Sequence, residues 1–549
     1  MKRTIVNLVM CTLCICTFPV FATRYHVNIL NGDDENDGLL WSTAFKNLQT
    51  AIDAAEEGDE IWIAAGVYHP TTKMADVYGS LGNESTPTND RHRSFLIRKN
   101  IALYGGFPEN PSDATDMGSR NWREHQTVLS GDFNGDDGNN FEHMDENAYH
   151  VVVLFDAAPS LVLDGFFITG GNADDINNVY APNNYYYVTG SFGGGLYAYT
   201  PSMVDVASPT LTNISFYGNC ALTAGAMYIH AFQNDAAPKL TNVSIVHNKA
   251  KNGNAGGLYV ECAGVNHAEL VNINVVGNEA NKYGGGLYFT AIEECSPSII
   301  NTVVSGNYSK TSNGGGIMIR TINDGGDAKP TIINSTICGN KSFSDGGGLV
   351  IYPEGISKAN IYNTVVWGNK GNDYDNFYAE GTWGKANTIK GSFIAGYDDA
   401  DPTNLPGNTD PLFLDPVLAD FAPTMDGDYQ LTLGSPLINK GINAYITIPN
   451  DLLDNFRIYD GTVDIGAYES QGHVPKFNET IADEKTVWSN SGYLYVRTNQ
   501  TTALHVYALD GSLVKHISNL GEGIYEFALP RGFYIVTLSN GITEKIVIR

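Results

Sequence analysis

The sequence predicts an all-β protein: a parallel β-helix solenoid with an N-terminal capping helix, followed by a small C-terminal β-sandwich. Two landmarks predict the solenoid. A GGGLY-like motif recurs at spacings of 29 to 32 residues, and each repeat holds an Asn that is followed six residues later by a second Asn. A period of about 30 residues with fixed internal spacing is typical of stacked repeats. The motif aligns Tyr197, Tyr228, Tyr259, Tyr288, Met318 and Val350, and the paired Asn are Asn213 and Asn219, Asn242 and Asn248, Asn272 and Asn278, Asn301 and Asn307, Asn334 and Asn340, and Asn363 and Asn369.

Each repeat is expected to be one coil of short parallel strands. Apolar runs of three to five residues alternate with polar residues and end at Gly or Asn, which favours strands over helical turns. Coils would stack at about 4.8 Å, with the first and third residues of each Leu-Tyr-x-x strand, such as Leu258 and Val260, in the core. The recurrent Asn is predicted to lie at a bend, where its amide can bond to its equivalents above and below. The Asn-x-Ser/Thr matches are interpreted as by-products of this series, with glycosylation as the alternative.

The N-terminal end of the stack has a candidate cap. The stretch STAFKNLQTAIDAAEEGDEIWIAAGVY predicts an amphipathic helix with Ser42 as its N-cap, ending at Gly58 before a strand over residues 61–67. Its apolar face is predicted to consist of Phe45, Leu48, Ile52 and Ala55.

Charge and composition indicate an exported protein. Residues 1–22 have the features of a secretory signal, with Lys2 and Arg3, an apolar stretch, and small residues before a cleavage point ahead of Thr23. The formal net charge of −28 would become −30 without Lys2 and Arg3, which makes nucleic acid and anionic membrane surfaces poor partners. The Cys outside this signal fall at different places in the repeat, so we expect buried thiols rather than disulfides or a metal site. They are Cys220, Cys262, Cys295 and Cys338.

Several segments resemble a known family. DGLLWSTAFKNLQTAIDAAEEGDEIWIAAGVYHP, NWREHQTVLSGDFNGDD and LVLDGFFITGGNADD resemble exported right-handed parallel β-helix proteins of the pectate-lyase-like superfamily, and DYQLTLGSPLINKG with DNFRIYDGTVDIGAYES resembles the choice-of-anchor Q segment that closes many of those helices. The resemblance implies a right-handed β-helix over residues 23–471, with regular coils over about 190–370 and closing coils over 371–471. The superfamily contains lyases, hydrolases and adhesins, so the resemblance leaves the activity open.

After Gln471 the repeat ends. Alternating strands with Asp510-Gly511 and Asn540-Gly541 turns predict hairpins, and residues 472–549 are expected to form a small sandwich. The segments VYALDGSLVK, GFYIVTL and the terminal KIVIR resemble the C-terminal sorting domain of the type IX secretion system. That resemblance implies outer-membrane secretion machinery as a partner and a secreted or cell-surface location. An accessory sandwich without a sorting role is the alternative.

The outward positions of the Leu-Tyr-x-x strands provide the first candidate site. Their second residues are predicted to form an exterior aromatic file on which sugar rings could stack. Alternatively, the file packs under adjacent loops or stabilises the sheet face. The file consists of Tyr197, Tyr228, Tyr259 and Tyr288, and the fourth residues form a second row of Tyr199, His230, Glu261, Thr290, Arg320 and Tyr352.

The second row supplies candidates for acid/base chemistry. His230 and Glu261 would be neighbours, and Arg320 would lie about 10 Å from Glu261. Carboxylates in the loops after these strands could run glycoside hydrolysis if held about 5–10 Å apart, although acids are equally typical of a solvated loop edge. They are Asp205, Asp235, Glu293, Glu294, Asp324, Asp327 and Glu354.

The stretch DFNGDDG is a candidate Ca²⁺ loop. It offers Asp132, Asn134 and Asp136 as alternating oxygen ligands. It departs from the usual loop pattern, because the glycine comes one place late at Gly138 and His143 stands where a bidentate Glu is expected. An ordinary acidic turn is the alternative.

Two functions fit these observations. The first is an exported surface protein that binds a polysaccharide or a host or cell-surface glycan, or acts as an adhesin, along the aromatic flank. It rests on the aromatic file and on the lack of a complete catalytic set in the sequence. The second is a polysaccharide lyase or glycoside hydrolase acting on a linear glycan in the same groove.

Overall fold

The coils of the chain stack into an elongated parallel β-helix. The computed structural model describes residues 22–73, 90–155, 161–176, 178–180, 187–201, 206–382, 384–397, 401–471, 486–490, 493–498, 500–508, 512–529, 532–539 and 541–548. The predicted signal over residues 1–22, apart from its last residue, lies outside these ranges, as do Asp205, Asp510, Gly511 and Asn540.

Two long sheets run along the stack. The first has ten strands, all parallel except for the pair at its N-terminal edge. Its strands are Thr72–Lys73, Arg93–Ile97, Val152–Phe155, Leu196–Thr200, Met227–Ala231, Leu258–Cys262, Leu287–Ala291, Ile317–Thr321, Leu349–Tyr352 and Phe377–Ala379. We call it the ten-stranded sheet.

The second sheet has nineteen strands and most coils contribute two short ones to it. Its strands are Arg24–Val27, Glu60–Ala64, Gly66–Tyr68, Ala102–Phe107, Thr127–Ser130, Val162–Thr169, Thr210–Tyr217, Lys239–Thr241, Ser244–Val246, Glu269–Val271, Asn274–Val276, Ser298–Ile300, Val303–Ser305, Thr331–Ile333, Thr336–Cys338, Asn360–Tyr362, Val365–Trp367, Thr388–Lys390 and Phe393–Ile394. We call it the long sheet.

Smaller ladders complete the coils. A six-stranded ladder consists of Asn172–Ala173, Cys220–Ala221, Lys249–Ala250, Glu279–Ala280, Tyr308–Ser309 and Lys341–Ser342. A three-stranded ladder consists of Val265–Asn266, Glu294–Cys295 and Asp327–Ala328. Two antiparallel pairs are Asn178–Tyr180 with Tyr187–Thr189, and Phe413–Asp415 with Asp428–Leu431.

The two Asn series confirm that equivalent residues lie over one another. The first Asn of each repeat takes the left-handed conformation, with φ from 46° to 58°; Asn213 lies within the strand Thr210–Tyr217, and the later ones separate two strands of the long sheet. Asn tolerates this conformation better than most residues, which explains its place at the bend. Its amide donates to the preceding equivalent at 3.1 Å from Asn242 to Asn213, 3.0 Å from Asn272 to Asn242 and 2.6 Å from Asn301 to Asn272.

The second Asn of each repeat forms a separate buried column. Asn278 is fully buried, and its Nδ2 donates to Asn307 Oδ1 at 2.9 Å and to the Ile245 carbonyl at 2.8 Å. Its Oδ1 accepts from the backbone N–H and the Nδ2 of Asn248, both at 3.0 Å. The same bonding continues to Asn369, so the column satisfies polar groups along the core.

The core is one continuous apolar column between the sheets. The first and third residues of each Leu-Tyr-x-x strand lie in it as predicted, with Leu258 and Val260 fully buried. The glycines of the motif allow neighbouring coils to approach closely, since a Cβ on Gly285 would lie 2.3 Å from the Gly315 carbonyl oxygen. The four Cys are buried and free, as expected.

The N-terminal cap is shorter than predicted. The helix spans Leu48–Ala54 with Asn47 as its N-cap, because Asp34 holds the segment before it extended by accepting the Asn47 N–H at 2.8 Å. Ser42 lies instead in a 3₁₀ turn, Trp41–Thr43, and bonds to Asp113. The predicted apolar residues Phe45, Leu48, Ile52 and Ala55 are all in the core, although Phe45 precedes the helix and Ala55 is its C-cap. The predicted strand over 61–67 is divided into Glu60–Ala64 and Gly66–Tyr68.

Further 3₁₀ turns are Asp90–His92, Met117–Ser119, Ala419–Phe421 and Asn443–Tyr445.

A closing segment, residues 409–471, lies along the bends of the long sheet. Arg457 is 1% exposed and donates to Asn301 Oδ1 and, at 3.2 Å each, to the carbonyls of Gly466 and Ala467. Burial lowers the pKa of Arg457 to about 10, and Asp451, Glu469 and Asp464 oppose this shift. The arginine therefore fastens the closing segment to the coils.

The C-terminal residues form two antiparallel sheets around one apolar cluster. The first sheet contains Val487–Asn490, Tyr493–Thr498 and Gly523–Ala528, and the second contains Thr502–Ala508, Leu513–Leu520, Gly532–Leu538 and Thr543–Ile548. Leu494 and Val506, from opposite sheets, are fully buried between them. Lys515 contacts Asp428 of the closing segment at 2.9 Å. Among the residues described, no helix has the length and apolar character needed to cross a bilayer.

Candidate functional site

The outer face of the ten-stranded sheet aligns the predicted rows. Tyr197 pairs in register with Tyr228, Tyr228 with Tyr259, and Tyr259 with Tyr288. The fourth residues are aligned in the same way, in the order Tyr199, His230, Glu261, Thr290, Arg320 and Tyr352.

The aromatic file is buried, which corrects the expectation of an exterior file. Its rings are 1% to 6% exposed, and they form an apolar cluster separate from the main core. Neighbouring ring centroids lie 5.6 Å apart for Tyr197 and Tyr228, 5.3 Å for Tyr228 and Tyr259, and 4.7 Å for Tyr259 and Tyr288. Phe192 and Tyr283, from the turns that precede these strands, pack against the cluster. The alternative interpretation, a file that packs beneath neighbouring segments, therefore describes these rings, and a ligand-binding role for them stays a prediction.

The second row brings His230 and Glu261 together. The Tyr228 hydroxyl donates to Glu261 Oε2 at 2.6 Å. Burial, and then the charge of Glu261, raises the pKa of both Tyr228 and Tyr259 well above the usual range. Burial lowers the pKa of His230, and Glu261 opposes this shift, so the imidazole is neutral near pH 7.

Arg320 does not join this pair. It lies two strands along the row from Glu261, and its Nη2 is 3.7 Å from Glu354 Oε1. In this row His230, Glu261 and Arg320 are half-buried, and their acid/base role stays a prediction.

Several loop carboxylates have structural partners. Asp235 Oδ1 accepts the Val265 N–H at 2.7 Å, and Asp327 Oδ1 accepts the Ile356 N–H at 2.9 Å, each from the next coil. Asp327 also pairs with Lys358 at 2.5 Å, and Glu294 pairs with Lys329. These acids stabilise the stacking of the loops.

The face becomes accessible at its C-terminal end. Tyr378 pairs in register with Val350 and so brings an aromatic ring back into this column after Met318 and Val350, one coil beyond the GGGLY motifs. Tyr352 and Tyr374 are 37% and 50% exposed, and their centroids lie 6.2 Å and 4.8 Å from that of Tyr378. We call these three residues the tyrosine platform.

An open pocket of about 320 Å³ adjoins the platform. Residues 373–380 form one side of it, including the platform residues Tyr374 and Tyr378, and Ala395, Gly396 and Tyr397 form the other. Acidic side chains at Asp373, Asp375 and Glu380 and the single base Lys385 complete the lining. The sequence motif that marks the earlier coils is missing after Tyr352, which is why Tyr374 and Tyr378 are not among the predicted residues, whereas Tyr352 is in the predicted second row.

The candidate Ca²⁺ loop brings a different acid into the predicted group. One carboxylate oxygen each from Asp132, Asp136 and Glu146 lie within 4.8 Å of one another. The Asn134 backbone N–H donates to Asp132 Oδ1 at 3.2 Å, and a ligand role for its side chain stays a prediction. Glu146 takes the place expected at His143, because the loop reverses through the bridge between Gly138 and Glu142.

The oxygens around this group fit a cation. Asp137 Oδ1, Glu146 Oε1 and Asn147 Oδ1 are buried and accept no hydrogen bond from the described residues. Burial, together with Asp132, Glu146 and Asp136, raises the pKa of Asp137 to about 6. The pKa of Glu146 is also raised, by burial and then by neighbouring acids. Buried acceptors without donors and crowded carboxylates are what a hard cation relieves, and oxygen ligands are those that Ca²⁺ prefers.

Two solved structures are similar to the chain. The pectate lyase Pel9A matches with a TM-score of 0.35 and 15% identity, over 82% of this chain and 97% of that one. XylC, solved in complex with xylose, matches with a TM-score of 0.33 and 11% identity, over 82% of this chain and 99% of that one. No protein-family model and no curated protein matches the sequence. The class that the geometry defines, a parallel β-helix protein with a small C-terminal antiparallel unit, rests on the strand registers themselves.

Proposed function

We propose that the protein is an exported β-helix protein that binds a glycan at the C-terminal end of the ten-stranded sheet. The observation that carries the proposal is the tyrosine platform beside an open pocket. The remainder of the aromatic column is buried, so a sugar has ring faces available to it at Tyr352, Tyr374 and Tyr378.

Physical chemistry favours a sugar in this setting. A tyrosine offers a broad apolar face and a hydroxyl that can hydrogen-bond, which suits the alternating apolar and polar surfaces of a pyranose ring. Ligand pockets typically enclose about 300–1,000 Å³, and the pocket of about 320 Å³ lies at the lower end of this range. A single ring at the end of a glycan would fit such a space better than a long chain lying along the flank.

The proposal is tested by calorimetric titration of neutral, basic and acidic oligosaccharides into wild-type protein and the variants Tyr374→Ala and Tyr378→Ala. Each substitution removes one stacking surface and is expected to weaken binding about tenfold. Tyr217→Ala is the matched control, because Tyr217 is 41% exposed on the long sheet, away from the platform. Equal affinity of wild type and both platform variants would refute the proposal.

The same incubations distinguish binding from catalysis. The alternative function, a polysaccharide lyase or glycoside hydrolase, predicts new unsaturated ends or new reducing ends. We expect neither product, because Arg320 lies two strands from Glu261 and pairs with Glu354, and Glu261 accepts a hydrogen bond from the Tyr228 hydroxyl. Product formation that is lost in Glu261→Gln would assign the enzymatic role instead.

We further propose that the acidic loop holds Ca²⁺ as a structural ion. Asp132, Asp136 and Glu146 would supply charged ligands, with Asp137 and Asn147 completing the oxygen set. The ion would offset the repulsion among these carboxylates and hold residues 132–147 against the first coils.

Export and anchoring complete the proposal. The secretory signal over residues 1–22 would direct the chain across the inner membrane, and residues 472–549 would act as the sorting domain for type IX secretion. In a host with that pathway, deletion of 472–549 is expected to leave the protein inside the outer membrane. Surface display of the truncated chain would show that this unit is an accessory sandwich.

A further inference from the structure

We propose that the pocket beside the tyrosine platform selects a sugar that bears a free, protonated amine. This inference rests on the proposed glycan-binding function and names the class of glycan. It follows from the charges that line the pocket and from the arrangement of the rings beside them.

The lining is strongly acidic. Asp373, Asp375 and Glu380 face one base, Lys385. Within the part of the chain that the structure describes, none of these three carboxylates forms an ion pair. Asp375 Oδ1 accepts only the Gly371 N–H, at 3.0 Å, which leaves its second oxygen for a ligand.

Two acids in the loops of earlier coils, unlike those of the pocket, have basic partners. Glu354 lies 3.7 Å from Arg320, and Asp327 lies 2.5 Å from Lys358. These two acids of earlier coils are therefore neutralised within the protein. The carboxylates of the pocket keep their charge for whatever enters it.

The two tyrosine rings also favour a cation in the pocket. Tyr374 and Tyr378 meet at an interplanar angle of 42°, with their centroids 4.8 Å apart, so their faces form a corner. The face of an aromatic ring attracts a cation, and two inclined faces attract it from two sides. Glu380 and Asp345 contribute to a raised pKa of Tyr378, after burial, which is consistent with a negative potential at its hydroxyl.

Together these features oppose an acidic glycan. A uronate carboxylate placed in the pocket would meet three like charges and one opposite charge. An ammonium group would meet three opposite charges and one like charge. An N-acetylated sugar of the same shape has neither the attraction nor the repulsion. The ordering expected from the pocket is therefore amine first, N-acetyl second and uronate last.

The test is a titration of three oligosaccharides of equal length into the full mature protein at mildly acidic pH and low salt: β-1,4-linked glucosamine, its N-acetylated counterpart and oligogalacturonate. We expect the glucosamine oligomer to bind about tenfold or more tightly than the N-acetylated one, and oligogalacturonate to bind more weakly than either. The preference for the amine should shrink as ionic strength rises.

The variant Asp375→Asn with Glu380→Gln keeps the pocket shape and removes two charges. It should remove most of the preference for the glucosamine oligomer over the N-acetylated oligomer, and leave affinity for the latter unchanged. Glu269→Gln is the matched control, because Glu269 is exposed on the long sheet. It should change neither affinity.

The outcomes separate this inference from the proposed function. Equal binding of the amine and N-acetyl oligomers, with both weakened by Tyr378→Ala, would overturn the inference and support the platform. Tighter binding of oligogalacturonate would overturn the inference as well. No binding of any oligomer would overturn both.

Discussion

At the scale of single residues, asparagine has two different roles in each coil. Asn272 lies at a bend with φ 58°, and it contributes to stability partly because Asn tolerates this backbone conformation. Asn278 follows Gly277 and has an ordinary negative φ. It contributes to stability through the four hydrogen bonds of its buried amide. The two positions should therefore respond differently to the same substitutions.

We predict that the order of Ala and Gly variants reverses between the two sites. At Asn272, Gly adopts the left-handed conformation freely, so Asn272→Gly should be more stable than Asn272→Ala by about 1 kcal/mol. At Asn278, Ala is better than Gly, although both should lose about 3 kcal/mol because buried groups are left unpaired. Urea midpoints measure this, and the same order at both sites would contradict the assigned roles.

The acidic loop predicts a dependence of stability on pH and Ca²⁺. The folded-state pKa of Asp137, about 6, lies above its ordinary value of 3.8. The folded protein therefore binds more protons than the unfolded chain between these values, and without Ca²⁺ the loop loses stability as pH rises from about 4 to about 6. Ca²⁺ favours the ionised form, so its addition should raise the melting temperature by roughly 1–3 °C near pH 7, and by less near pH 4.

Two neighbouring variants control this prediction. Asp136→Asn removes a proposed ligand at an exposed position and should abolish the increment. Asp145→Asn changes an exposed acid that is outside the ligand group and should retain it. A Ca²⁺ increment that persists in Asp136→Asn, or is absent in the wild type, would contradict a site in this loop.

At the scale of elements, the closing segment depends on one buried arginine. Arg457 joins the Asn301 bend to the Gly466 and Ala467 carbonyls. Burial raises the pKa of Asp464 to about 6 and that of Glu469 to about 8, so both acids become destabilising as pH rises. The arginine offsets their charge, which makes the segment sensitive to its removal.

We expect Arg457→Ala to loosen the closing segment without unfolding the coils. Loss of one partner of a buried charged group costs about 3–5 kcal/mol. Hydrogen exchange should accelerate at Gly441 and Ile465, whose amides bond within the segment, and stay slow in Leu258–Cys262. Lys440→Ala, an exposed change in the same segment, should leave both unchanged. Equal protection from hydrogen exchange in Arg457→Ala and the wild type would show that the arginine does not hold the closing segment on the coils.

The coil strands and bends are predictable from sequence because they are local. Alternation along four residues places Leu258 and Val260 in the core, and the repeated Asn marks each bend. The start of the helix is different. Ser42 is a reasonable N-cap by type, but Asp34 and Asp113, which are distant in sequence, decide the local hydrogen bonds.

The candidate site is less predictable because it depends on contacts between separate segments. Spacing places Tyr259 outside the main core, but it does not reveal what covers that side. Glu146 reaches Asp132 only through a loop reversal that no local pattern marks. One signal was available for the platform, since Tyr378 comes one coil after Val350 in the same register.

At the scale of the whole molecule, stability should resemble a sum over coils. Each coil contacts mainly its neighbours, and the aligned residues are chemically similar from coil to coil. Removal of residues 227–257 would join Ala226 to Leu258 and place Tyr259 over Tyr197. The tyrosine platform lies several coils away, so glycan binding should survive this deletion within about twofold. Loss of binding would indicate that the buried row, rather than the platform, is the site.

The stacking of the coils in register is tested most directly by thermal unfolding of two deletion variants, followed by circular dichroism. Loss of residues 227–257 removes one complete coil, and we predict a β-rich protein with a cooperative transition at only a slightly lower temperature. Loss of residues 227–241 removes half a coil and should abolish the transition. If the complete-coil deletion is unfolded, or if both variants unfold alike, equivalent side chains do not lie in continuous columns.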